Sequence, residues 1–270
     1  VTTESTRATE TQDPGIEKRF LSVHGGNPAW DALRELDPDF FAALVEFADP
    51  LVEGVDVLEE STRQLILIAL HSSMGTIEER LLRSHVRRAL QIGVPARAVL
   101  EVFELVSLIG IHAAQVSLPM LVEESSRSGT PIPLSEPGLE KALRRSALSA
   151  GFRADRRYWS SGWDPVLERD EELFSRYLAL CRLPWTSKHI DIKVKELIDV
   201  AIDASPGHLF LDGLRIHMRA ALEAGATWQE LVAVIRLAST VGNQSLIVGT
   251  TILREELDRT NAANGGESRR

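Results

Sequence analysis

Two histidines occupy matching places in this chain, His85 inside LLRSHVRRAL and His217 inside GLRIHMRAAL. Imidazole ordinarily titrates close to neutral pH, so a matched pair of histidines points to proton transfer. Each sits about two helical turns before a glycine, Gly93 or Gly225, that is expected to end its helix. One predicted helix earlier, Lys195-Glu196 stands where Arg63-Gln64 stands in the first segment. A carboxylate there can accept from the imidazole, fix its tautomer and raise its basicity. Only the second segment has that carboxylate, so Glu196 with His217 is the leading candidate pair. The competing reading makes each histidine a hydrogen-bonded structural residue and Glu196 an ordinary exposed charge.

The other candidates are weaker. His112, in LIGIHAAQ, is an imidazole inside an apolar run and answers Gln244. It is either a buried hydrogen-bonding residue or a donor brought to His217 from the other segment. His208 follows the turn SPG nine residues before His217, which puts the two on different helix faces. That spacing is no metal-binding pair and no carboxylate joins it at the next turn, so no metal site is expected. Arg83/Arg215 and Arg87/Arg219 flank the paired histidines at i−2 and i+2 and should point away from them, toward ion pairs. One of them holding a substrate carboxylate is the alternative. His24, His71 and His189 have no matched partner and read as surface or structural. Trp159 and Trp163 in YWSSGW either line a pocket or pack a helix entry; Trp30 repeats Trp163, which favours packing. Walker A, GxGxxG, GxSxG and HExxH patterns are absent.

The elements that must position these residues come twice. Displaced by 132 positions, Thr62–Met120 aligns with Val194–Ile252 without a gap, and 17 of 59 positions are identical. That is too many for chance, and two copies are too few for a solenoid. The match extends upstream with a one-residue slip, Trp30-Asp31 answering Trp163-Asp164. The expected architecture is a duplicated all-α domain whose copies pack about a pseudo-twofold axis, imitating a symmetric dimer. The expected divisions are a disordered tail over 1–15, a first repeat over 16–126, a linker over 127–137, a second repeat over 138–258 and a tail over 259–270. Apolar spacing in LVEFADPLVEG and TRQLILIALHSS is helical. Asp37-Pro38 reads as N-cap and first helical residue, and Thr76…Glu79 and Thr227…Glu230 read as capping boxes. Val99–Met120 and Leu231–Leu253 read as long buried helices, with Gly110 and Gly242 permitting close helix contact.

Lys plus Arg number 30 against 39 Asp plus Glu, a net charge of -9. This balance argues against nucleic acid or an anionic membrane as the main partner. Cys181 is the only cysteine, which rules out an internal disulfide framework, a CxxC redox pair and a multi-cysteine zinc site. With no apolar leader and no membrane span read from the sequence, a cytoplasmic location is expected.

The stretches SHVRRALQIGVPARAVLEVFELVSLIGIH and IHMRAALEAGATWQELVAVIRLASTVGNQ resemble the carboxymuconolactone decarboxylase family, within the alkyl hydroperoxidase D-like helical superfamily. The resemblance spans roughly 30–125 and 160–257 and is closer in the second copy, where AGATWQEL nearly has the family's form. Peroxidase-type members carry a CxxC ahead of the histidine. The corresponding positions here are Glu78 and Leu81, and Phe210 and Gly213, so thiol peroxidase chemistry is excluded. Decarboxylase-type members use a glutamate and the histidine without a cofactor. The resemblance therefore implies a cofactor-independent lyase acting on a small carboxylated substrate, lactone or aromatic-derived. Glu196 and His217 take those roles, with His112 and His208 as added donors and His85 as the counterpart in the first copy. A hydratase or isomerase on the same scaffold, or a non-catalytic binding or structural homologue, are the alternatives. The resemblance also implies a homo-oligomer, a trimer of two-repeat chains.

Overall fold

The computed structural model describes residues 14–24, 26–131 and 137–267. Most of the front tail and residues 132–136 of the linker lie outside the described residues. Among the described residues the fold is all-helical, with no strand. The first half runs α1 Pro14–His24, α2 Pro28–Leu36, α3 Pro38–Glu53, α4 Glu60–Ser72, α5 Glu79–Gln91, α6 Ala96–Leu108 and α7 His112–Arg127. The second runs α8 Leu139–Arg156, α9 Trp163–Arg169, α10 Glu171–Thr186, α11 Ile192–Ala204, α12 Leu211–Glu223, α13 Trp228–Ser239 and α14 Gln244–Glu267. The same order thus occurs twice, and we read it as two copies of one ancestral unit.

Local chemistry sets many of the helix ends. Asp37 Oδ1 accepts from Phe40 N at 2.9 Å and Asp170 Oδ1 from Leu173 N at 3.0 Å, capping α3 and α10 at matching places. Thr227 and Glu230 form the expected capping box on α13. Gly93 and Gly225 follow α5 and α12 at φ 90° and 91°, a region that costs an L side chain about 1–2 kcal/mol.

Four expectations are corrected. Thr76 does not cap α5: its hydroxyl donates to Leu70 O at 2.5 Å, and Glu78 caps the helix by accepting from Leu81 N at 2.6 Å. The long apolar runs are not continuous α-helices. A 3₁₀ turn, Ile109–Ile111 or Thr240–Asn243, divides each of them at the same place. Gly110 and Gly242 permit no close contact, since a Cβ at either meets nothing within 4 Å. The close approach is at the matched pair Gly75 and Gly207, where a Cβ on Gly75 would lie 2.8 Å from Gly207 O. Finally, Ala96–Arg127 and Trp228–Ala262 are long and apolar enough to cross a membrane by length and hydropathy alone, although no such segment was read from the sequence. Each includes one of the 3₁₀ turns and gives its first part to the protein core. In addition, α7 extends to Arg127 and α14 to Glu267, so helix occupies the start of the expected linker and most of the expected end tail.

The core has three parts. A central cluster joins α4, α6, α11 and α13 through residues such as Ile66, Val102, Leu197 and Val234. Toward each half's first helices lies an aromatic cluster: Phe20, Trp30 and Phe41 in one, Phe152, Trp163 and Phe174 in the other. Each such ring, fully buried, contributes about 1.5–3 kcal/mol. The halves interlock at these clusters. Ile247 of α14 packs into the first, and Leu118 of α7 packs against the second. The last helix of each half therefore covers the opening helices of the other. A buried ion pair, Lys195 Nζ to Glu101 Oε1 at 2.9 Å, also ties α11 to α6. This interlocking carries His112, the first residue of α7, over to the second half.

Candidate active site

The site starts from one face of α11. Glu196, Asp199 and Asp203 follow one another at three and four residues, the spacing that stacks side chains along a helix. In α4 the same positions are Gln64, Leu67 and His71, so the first half lacks this acidic face. Helix α12 packs on α11 and sets His217 against it. His217 Nδ1 bonds Glu196 Oε2 at 2.7 Å, with both residues buried. The carboxylate accepts, so Nδ1 carries the hydrogen and Nε2 is left for chemistry. His217 Nε2 lies 3.5 Å from Asp199 Oδ2.

Arg156, the last residue of α8, enters from above. Its Nη2 lies 3.5 Å from Asp199 Oδ2, and its guanidinium carbon sits 3.0 Å over the Trp185 ring. Arg156 Nη1 is buried and has no hydrogen-bond partner among the described residues. Arg157 then takes a left-handed conformation, φ 59°, which turns the chain so that Tyr158 comes within 6.0 Å of the His217 ring.

These groups line a cavity of about 30 Å³, bounded by Arg156, Tyr158, Asp199, Asp203 and His217 on one side and His112 on the other. That is room for a water molecule. Arg156, Tyr158 and Trp185 also form part of the wall of a larger cleft of about 620 Å³, which reaches Glu196 and Arg219. Those three side chains stand between the cleft and the cavity.

The electrostatics separate the two halves. Burial alone pulls His217 toward the neutral form, but Asp199 and the Glu196 hydrogen bond outweigh it, and its pKa is raised. Burial pushes Asp203 up to about 7 and raises Asp199 as well. His85 also bonds its predicted partner, Nδ1 to Gln64 Oε1 at 2.9 Å, but that partner is neutral. Burial then prevails and holds His85 down to about 4. His71 stacks on it with ring centres 5.3 Å apart and is itself held down to about 3, by burial and then by His85.

Of the predicted residues, Glu196 and His217 are in direct contact, and His112 lines the same cavity as His217. His208 is half-buried behind it, with Nε2 2.9 Å from His112 Nδ1. His85 is not part of this constellation; it stands in the first half beside a surface hollow. Arg83 pairs with Glu79 on the surface, as expected, while Arg219 is exposed on the cleft wall. Trp163 is both core and cavity wall, and Trp159 lines the cleft. His24 and His71, read as surface or structural, are buried. Asp199, Asp203, Arg156 and Tyr158 were not singled out in the sequence. The two aspartates had a signal, since they continue the Glu196 face of α11.

The sequence pattern of the carboxymuconolactone decarboxylase family matches residues 171–247, a span that contains Glu196, His208 and His217. A crystal structure from Burkholderia xenovorans LB400, of a protein provisionally described as a gamma-carboxymuconolactone decarboxylase subunit, superposes with a TM-score of 0.81 at 33% identity. The match covers 92% of this chain and 99% of that one. The chain belongs to the carboxymuconolactone decarboxylase family. No curated protein sequence matches it. The family pattern falls on the second half and spans both Glu196 and His217. Arg156, Tyr158 and His112 lie outside it, contributed by α8, the segment after it and the first half.

Proposed function

We propose that the protein is a carbon–carbon lyase of the decarboxylase type, acting on a small carboxylated substrate such as a lactone acid, with one working centre in its second half. The observation that supports this best is the buried Glu196–His217 pair with Nε2 turned to a cavity. With its pKa raised above the ordinary imidazole value by Asp199 and Glu196, His217 is suited to serve as general acid. Decarboxylation breaks the bond between the carboxyl carbon and its neighbour. The electron pair moves into a conjugated carbonyl of the substrate, and the enolate carbon then takes the proton from Nε2. Water restores that proton. Glu196 holds the ring in the productive tautomer. The unpartnered Nη1 of Arg156 suits an anionic group of the substrate. The carbonyl that receives the electron pair is polarised from the His112 side of the cavity. Because the cavity is small, the substrate enters from the larger cleft as Tyr158 and Trp185 give way.

The test is turnover of carboxylated lactones with the CO₂ trapped. His217→Gln is expected to lower the rate by at least about 10²-fold, the scale of a lost general acid, while His85→Gln leaves it near wild type. Turnover by His217→Gln at the wild-type rate would remove the mechanism. Product formed without CO₂ would favour hydration or isomerisation by the same imidazole.

A further inference from the structure

The contact between the halves beside the cavity is built twice, and the two versions differ. In one, Gln244 Nε2 donates to Thr76 O at 2.9 Å and lies 2.7 Å from His71 Nδ1. Hydrogen bonds alone complete that contact. In the other version the same three positions are His112, His208 and Asp203. His112 Nδ1 lies 2.9 Å from His208 Nε2, and His208 Nε2 lies 3.5 Å from Asp203 Oδ1. Ligand atoms of all three fall within 4.8 Å of one another. Three separate elements supply them: the start of α7 from the first half, the end of α11, and the turn before α12.

Hydrogen bonding leaves this trio incomplete. Two neutral imidazoles facing each other nitrogen to nitrogen share one proton between them. Asp203 is 2% exposed, and its Oδ2 has no hydrogen-bond partner among the described residues. A buried carboxylate oxygen left unpaired is costly. Gly213 makes room for that oxygen, since a Cβ there would lie 2.3 Å from it. Donor spacing fits a small cation as well: around a tetrahedral zinc ion neighbouring donors stand about 3.4 Å apart. The nearby Glu196–Asp199–His217 group also lies within ligand range, but its donors are engaged with one another and with Arg156.

We propose that His112, His208 and Asp203 bind one divalent transition-metal ion of the zinc type, at the edge of the cavity that His217 lines. Two imidazoles and one carboxylate are a ligand set such ions favour, with a position left for a substrate oxygen. A bound ion would polarise a carbonyl there, on the side where the lyase reading needs it. The expectation of a metal-free chain rested on the spacing of His208 and His217 and on the cofactor-free chemistry that the family resemblance implies; the deciding ligand, His112, comes from the other half. Half-buried His208 offers the ion a way in from solvent.

Zinc binding tests this without a substrate, so its outcome is separate from that of the lyase reading. Metal-stripped full-length protein is titrated with Zn²⁺ by calorimetry. One ion per chain is expected. His112→Gln and His208→Thr, which copy the sister contact, should each weaken binding by more than about tenfold. His189→Gln, at an exposed histidine, should change nothing. Helical content by circular dichroism checks each variant, and Asp203→Asn replaces any that does not fold. Cobalt(II) should give visible d–d bands in wild type that His208→Thr lacks. Absence of zinc binding at micromolar concentration, or equal affinity in the folded variants, would overturn the proposal.

Discussion

Asp199 and Glu196 together decide what kind of histidine His217 is. The two halves place an imidazole at the same position and give each a hydrogen-bonding partner one helix away. Where the partner is Gln64, burial wins and holds the pKa down to about 4; where Asp199 and Glu196 face the ring, they raise it above the ordinary value. Glu196→Gln should therefore lower the His217 pKa and move the high-pH limb of the pH–rate profile, where the general acid loses its proton, down with it. An NMR titration of the variant reads this, and an unmoved His217 would show that Glu196 is not its partner. This pair was legible because matching halves reveal what each has kept. Arg156 was not: it reaches Asp199 through the packing of α8, which no local spacing announces.

At the scale of helices, α1, α4 and α5 bring His24, His71 and His85 together in one buried group. Burial holds them down to about 3, 3 and 4. His112 is also held down, to about 3. An unfolded chain takes up protons through the ordinary histidine range near 6.5 while these folded histidines do not. Their stabilising contribution is complete above that range and falls as pH drops toward 4, by up to about 1.4 kcal/mol per pH unit for each. Asp203 and Asp199, raised by burial, work in the opposite direction, but the four histidines outnumber them. The urea midpoint should thus fall between pH 6.5 and 4, and His71→Gln should reduce the slope. A flat profile would contradict this. Helix type and most caps were legible from spacing, Asp37 and Thr227 among them. The break at Ile109–Ile111 was not, because its residues are as apolar as those of the helices on either side.

For the whole molecule, the repeat was visible in the sequence, but the number of helices in it and the exchange of the last ones were not. Sequence boundaries made each repeat self-contained; the fold puts α14 on α2 and α7 on α9. Residues 137–267 made alone should lose helical content by circular dichroism, and mixing with residues 1–131 should restore it. A fully folded isolated half would mean the exchange is dispensable. Both exchanged helices also expose matching apolar residues, Val116 with Val248 and Leu121 with Leu253. Light scattering should show whether these carry the expected association, as a mass above the 29.8 kDa of one chain.

One half keeps a protonatable imidazole where the other keeps a neutral one. The most direct test of this difference is a titration of every histidine in the intact chain by NMR, with each resonance assigned by substitution. His217 should titrate above 6.5 while His85, His71, His24 and His112 stay neutral well below it. A His217 that titrates alongside His85 would contradict it.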